Sequence, residues 1–279
     1  MGLVLTHFFI MYDNVCKFIA EMFSEDFATW LLGVPIPLTE LKPTELSLQP
    51  IRADSLIFLQ SDNLVLHIEF QTEPKTDIPF RMADYRLRVY RKFPQKEMYQ
   101  VVIYLKKSNS ELVQQNTFEL TELRHRFNVI RLWEESPEPF LNKPGLFPFA
   151  VLTQTENPIN VLTQVAEQIN QISNRKTQSD LAASTAILAG LSLNQRDIRR
   201  ILRSEIMRES VIYQEILAEG EQIGERRGEQ IGEQRGEQQA TEKIALNLLQ
   251  AGMEIEQVAQ MTELTIEQIQ ALQLRLENN

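Results

Sequence analysis

Two short apolar runs, Asp54 to Gln60 and Leu64 to Gln71, are separated only by Ser61, Asp62 and Asn63, and each run carries one acidic residue. Asp and Asn between alternating apolar stretches are turn chemistry, so the segment predicts a β-hairpin. A charge inside an otherwise apolar strand is costly unless something compensates it. A two-residue turn at Asp62 and Asn63 puts Ser61 opposite Leu64, and paired residue numbers then sum to 125. Asp54 falls opposite Gln71, and Leu56 falls opposite Glu69. Asp54, Glu69 and Gln71 then share one face, with opposed Cβ atoms ~5 Å apart and diagonal ones ~7–8 Å. The other face carries Ile57, Leu59, Leu66, Ile68 and Phe70, a core pattern. Two carboxylates so placed suit one hard cation. A three-residue loop would instead set Asp54 across from Phe70 and flip the face. The same spacing also fits a structural role, with Asp54 at a strand edge and Glu69 paired with an arginine.

Around this hairpin the pattern is α/β. Val15, Phe18, Ile19, Met22 and Phe23 recur at helical spacing and predict a helix over 13–32, stopped by Gly33 and Pro35. A proline-rich connection over 35–43 follows, then a short strand over 45–48. Residues 78–93 predict an arginine-rich helix, with Pro79 suited to its first turn. Residues 98–105 predict an apolar strand, and 118–120 and 127–133 two more.

Beyond residue 152 the periodicity is helical, over 160–172 and 181–191. Ser192 with Gln195 resembles a capping box, opening a helix to about 217. Glycines at 220, 224, 228, 232 and 236 then recur every four residues in a Glu/Gln-rich run. Each costs a helix ~1 kcal/mol relative to Ala, which favours a solvated, partly helical linker over a self-associating helix. Residues 253–261 and 265–276 predict a closing helical hairpin, with Thr265 and Gln268 as a capping box. Its second helix offers Glu267, Gln268 and Gln270 with a single late Arg, so an interaction hairpin is favoured over a DNA-reading helix-turn-helix.

Net charge is −10, at first sight unfavourable for nucleic acid. Residues 215–279 hold 13 acidic against 5 basic side chains, a balance of −8, which leaves −2 for the preceding 214 residues. A basic face there is compatible with DNA. The single cysteine, Cys16, excludes an intrachain disulfide, and with three histidines it makes a structural zinc site a poor fit. No apolar run reaches the ~18 residues of a membrane helix, and the first ten residues lack the basic start of a signal peptide. They predict a loosely packed extension on a cytoplasmic protein.

Arg52-Ala53-Asp54 followed by His67-Ile68-Glu69-Phe70-Gln71, then Arg81 to Arg86 and the strand Val101 to Leu105, resembles the Rpn-type recombination-promoting nuclease (transposase) family. That family is a branch of the PD-(D/E)XK nuclease superfamily. The resemblance covers about residues 11–152 and implies a restriction-endonuclease-like core, a central mixed sheet flanked by helices. An all-α extension over 153–218 would follow, then a linker or helix over 219–239 and a small helical hairpin over 240–279. It implies a Mg²⁺- or Mn²⁺-dependent DNA endonuclease that promotes recombination. Asp54 and Glu69 would hold the metal and Gln71 would orient water, with Glu73 or Glu21 as an additional ligand. Gln stands where the superfamily usually has Lys, so a positive charge is missing from that place. A degenerate nuclease fold that binds DNA or assembles without cutting is the rival. Arg81, Tyr85 and Arg88 recur at i, i+4 and i+7 and would face the DNA phosphates; Arg86 and Arg91 lie elsewhere on that helix. His67 is expected as a satisfied sheet histidine. Homo-oligomerisation through the C-terminal helices and no membrane partner complete the expectation.

Overall fold

The computed structural model describes residues 2–41, 56–202 and 204–277. The predicted strand over 45–48 lies outside them. They divide into a unit ending at Ile216 and a second beginning at Leu217.

The first unit opens with helices α1 (Gly2–Met22) and α2 (Ser24–Leu32). The expected loose extension is therefore part of a helix, and the expected single helix is broken at Phe23. Gly33 closes α2 in the left-handed region, φ 76°, where an L side chain is strained. The strands are β1 (Thr39–Glu40), β2 (Leu56–Gln60), β3 (Leu64–Gln71), β4 (Glu97–Tyr104), β5 (Thr117–Leu120), β6 (Leu123–Arg126) and β7 (Asn128–Arg131). Helix α3 (Ile78–Lys92) crosses from β3 to β4 with Pro79 in its first turn, where a missing N–H costs nothing.

Five strands form one mixed sheet in the order β1-β2-β3-β4-β7. β1, β2 and β3 pair antiparallel, and β3, β4 and β7 pair parallel. The hairpin register is Leu56↔Glu69 through Gln60↔Val65, so each pair sums to 125 as the two-residue turn requires. Ser61 N–H closes that turn on the Leu64 carbonyl at 2.9 Å. β5 and β6 make a separate hairpin, of which the sequence reveals only the first strand.

Each face of the sheet has its own cover. Ile57, Leu59, Leu66, Ile68, Phe70, Val101 and Ile103 pack with α1, α2 and the helices after residue 137. These are α4 (Glu138–Leu141), α5 (Phe147–Ala150), α6 (Pro158–Asn170), α7 (Arg175–Ala189), α8 (Gln195–Ile201) and α9 (Ser204–Met207). Leu162, Leu181, Leu188 and Ile212 belong to this same core, so it does not stop at residue 152. Gly145 lets the turn before α5 approach α2: a Cβ there would strike the Phe23 side chain, and its N–H bonds Asp26 at 2.8 Å. The opposite face is covered by α3, with Tyr85 and Val89 on Phe58 and Val65, and Ile78 and Met82 on Val102 and Tyr104.

Ser192 does not open the next helix. Asn194 caps α8, accepting from Asp197 N–H at 3.0 Å, and the chain breaks after Ile201. Both side chains occur at suitable spacings, and the Asn amide also donates to the Asp197 carboxylate, a second bond that a hydroxyl at 192 lacks. The glycine-repeat segment is helical throughout, inside α10 (Val211–Gln250).

In the second unit Ala245 of α10 packs with Val258 of α11 (Ile255–Thr262) and with Ile269 and Leu272 of α12 (Ile266–Glu277). The predicted capping box is formed: Thr265 N–H donates to the Gln268 side chain at 2.9 Å, and Gln268 N–H to the Thr265 hydroxyl at 3.3 Å.

Candidate functional site

Odd-numbered residues of β3 turn toward α3, which places His67, Glu69 and Gln71 side by side on one face. Glu69 is fully buried and Gln71 nearly so, at 0% and 3% exposure. Their company is what makes this burial tolerable. Arg81 of α3 reaches down to Glu69 Oε1 at 2.7 Å, and Gln71 Nε2 donates to the same oxygen at 2.9 Å. A buried carboxylate with a guanidinium and an amide on it is a compensated charge. Burial alone would lower the Arg81 pKa, but Glu69, Tyr85 and Asp77 together outweigh it and the net shift is upward.

His67 is held in one state by its neighbours. The Met82 carbonyl can only accept, so the Gln100 atom 2.8 Å away is its amide nitrogen. That nitrogen also lies 2.9 Å from His67 Nδ1, which must therefore accept. Neutral His67 carries its proton on Nε2, the atom 3.8 Å from Glu69 Oε2. Burial pulls the His67 pKa below its ordinary value, although Glu69 pulls the other way. With Nδ1 engaged and Nε2 protonated, the ring is neither a base nor a ligand.

The remaining sequence candidates are dispersed. Asp54 and Arg52 lie outside the described residues. Glu73 is exposed beyond the end of β3. Glu21 sits on α1, whose buried residues pack on the opposite sheet face; Lys17 is 3.6 Å away, and burial raises its pKa. Arg81, Tyr85 and Arg88 do share a side of α3, but it is not a free phosphate-facing row. Arg81 is on Glu69, Tyr85 is buried in edge contact with His67 and Phe58, and Arg88 holds Asp84 at 2.8 Å. The amphipathic helix turns its apolar side inward, and these three flank that side.

Three site neighbours have no signature in the sequence. Gln100 lies beside His67 and Tyr104 beside Gln71 in the parallel register, and Arg131 lies beside Tyr104 one strand further. Burial raises the Tyr104 pKa, and Glu69 adds to the shift. Arg131 is tied to Glu134 at 2.7 Å. Finding them requires knowing that β3, β4 and β7 run parallel in this order.

Chemically, the described donors are one carboxylate, Glu69, and one amide oxygen on Gln71. These are hard oxygens of the kind Mg²⁺ and Mn²⁺ accept. Among the described residues no group of three His, Cys, Asp or Glu forms a metal-ligand set. Glu69 alone fits as a partial site that needs a second carboxylate and a displaced Arg81.

The comparison with known families bears on the C-terminal helices. Residues 238–274 match the family model described as the C-terminal HTH domain of the Rpn/YhgA-like nuclease family. That match supports membership of the Rpn/YhgA-like nuclease family. No curated protein and no solved structure matches the chain. The Rpn/YhgA-like match spans the end of α10, α11 and most of α12, so the segment expected as an interaction hairpin carries a helix-turn-helix description instead. The chain turns at Glu263, φ 60°, between α11 and α12, and Thr265 caps the second of them. No helix among the described residues is long and apolar enough to cross a membrane.

Proposed function

We propose that the chain is a divalent-metal-dependent DNA endonuclease with a PD-(D/E)XK core, acting through Asp54, Glu69 and Gln71 and promoting recombination by breaking DNA. The observation that carries this is the buried Glu69–Gln71 pair on the sheet face beneath α3, in a chain whose C-terminal segment matches a nuclease family. The two-residue turn read from the sequence would set Asp54 opposite Gln71, and residues 56–60 follow the register of that turn. Glu69 and Asp54 would hold Mg²⁺ or Mn²⁺, which when bound supplies a water of lowered pKa and positive charge facing the phosphate. Gln71 would orient that water by neutral hydrogen bonds. Arg81 compensates the Glu69 charge, and its fork would suit a phosphate oxygen pair. Family membership together with the helix-turn-helix match favours DNA as the partner.

Two observations favour a second reading, a nuclease-family module that binds DNA without cutting it. Arg81 already occupies Glu69 Oε1, and no lysine stands at position 71. Supercoiled plasmid incubated with the protein in Mg²⁺ or Mn²⁺ separates the two. The enzyme nicks it, EDTA stops the reaction, and Asp54→Ala or Glu69→Ala lowers the rate at least about 100-fold, the scale expected for lost electrostatic stabilisation. Cleavage that survives in both variants, or none in the folded wild type with either ion, removes the endonuclease.

A further inference from the structure

A second recess opens where the parallel strands end. β4 runs on from Tyr104 into Leu105, Lys106 and Lys107, and β7 runs on into the turn that carries Trp133. Thr153 and Thr155, after α5, and Ser192, after α7, close the other sides. The cavity measures about 330 Å³, at the lower end of the range typical for small-ligand sites. It lies at the same strand ends as the candidate site, because Leu105 N–H bonds the Gln71 carbonyl at 2.9 Å. Ligands of open parallel sheets gather at that edge.

The lining is selective. Lys106 and Lys107 are exposed, and neither has a carboxylate within 4 Å among the described residues. The nearby acid Glu134 is already answered by Arg131. Two unanswered cations alone would take any anion. Half-buried Trp133 adds a large aromatic surface, which narrows the choice to an anion with a flat ring. The hydroxyls are sorted as well. Thr153 and Ser192 donate their own protons to the Ala150 and Ala189 carbonyls, at 2.6 and 3.4 Å, and so present lone pairs. Thr155 accepts from Asn157 N–H at 3.1 Å and keeps its proton to give. Acceptors and a donor around a ring match the mixed edge of a nucleobase.

We propose that this recess binds one unpaired nucleotide of a DNA strand, with its phosphate on Lys106 and Lys107 and its base against Trp133. A paired base is inaccessible to such a recess because its faces are stacked. The choice of DNA rests on the nuclease reading; the recess itself does not depend on cleavage.

Full-length protein in EDTA, titrated into a labelled 20-nucleotide single strand and into its duplex and followed by fluorescence anisotropy, tests this. The wild type binds the single strand more tightly. Lys106→Ala/Lys107→Ala weakens single-strand binding about tenfold and makes the log–log salt slope shallower by about 0.7, one phosphate contact's worth. Trp133→Ala weakens the single strand about tenfold and the duplex little, and Trp133→Phe restores most of the loss. Because Trp133 also packs against core residues, the surface lysine pair decides alone if Trp133→Ala fails to fold. Equal wild-type affinity for both DNAs, or unchanged single-strand affinity and salt slope in the lysine variant, overturns the proposal. Lysine-dependent binding by a protein that never nicks plasmid would sink the endonuclease and leave the recess standing.

Discussion

At the scale of single residues, the Glu69–Arg81 pair is the most consequential contact. Arg81→Ala leaves a carboxylate with no exposure beneath α3, and removing one member of a buried pair costs about 3 kcal/mol or more. Arg81→Ala combined with Glu69→Gln should recover much of that loss, because the stranded charge is gone. Urea unfolding of the two single variants and the double variant measures this, and additive losses would contradict the coupling. His67 gives a pH signature. Its folded pKa lies below its ordinary value, so below about pH 6.5 the unfolded chain binds a proton that the folded chain refuses. Its contribution to stability is whole above that pH and is lost as pH falls toward the folded pKa. His67→Gln should flatten the urea midpoint between pH 6.5 and 5 relative to wild type; an unchanged slope would mean that His67 protonates freely in the fold.

At the scale of elements, what the sequence discloses depends on whether local chemistry decides the outcome. The β2–β3 hairpin is legible to the residue because alternation, turn residues and a two-residue loop all agree. The Thr265 box is legible for the same reason. β6 is not, since Leu123-Arg124-His125-Arg126 is mostly exposed and has no apolar alternation. The Arg81 pairing is half legible: an arginine partner for Glu69 is expected from burial alone, but only the α3 crossover says which arginine. The glycine run misleads because propensity is a weak prior, and the Glu, Gln, Arg and Ile between the glycines are good or fair helix formers. A Cβ at Gly220, Gly224, Gly228, Gly232 or Gly236 would meet nothing within 4 Å. Gly224→Ala and Gly228→Ala should therefore slow amide exchange along α10 and add up to about 1 kcal/mol each. Faster exchange in these variants would show that the glycines hold a conformation other than this helix.

At the scale of the whole molecule, one core joins the sheet to the helices as far as Ile212, so α1, α2 and α5–α7 support the face opposite Glu69. The proposed chemistry uses the α3 face, and the proposed nucleotide recess uses the strand ends. The second unit holds the segment that matches the helix-turn-helix model. The account stands on a divalent cation shared by Glu69 and Asp54, and direct Mn²⁺ binding tests it without reference to cleavage. Calorimetric titration of the full chain should find one site tighter than the weak background of the acidic tail. Glu69→Gln or Asp54→Asn should abolish that site, and Arg81→Met should strengthen it by freeing Glu69. Wild type with background binding only, or a tight site that persists in both carboxylate variants, would contradict the account.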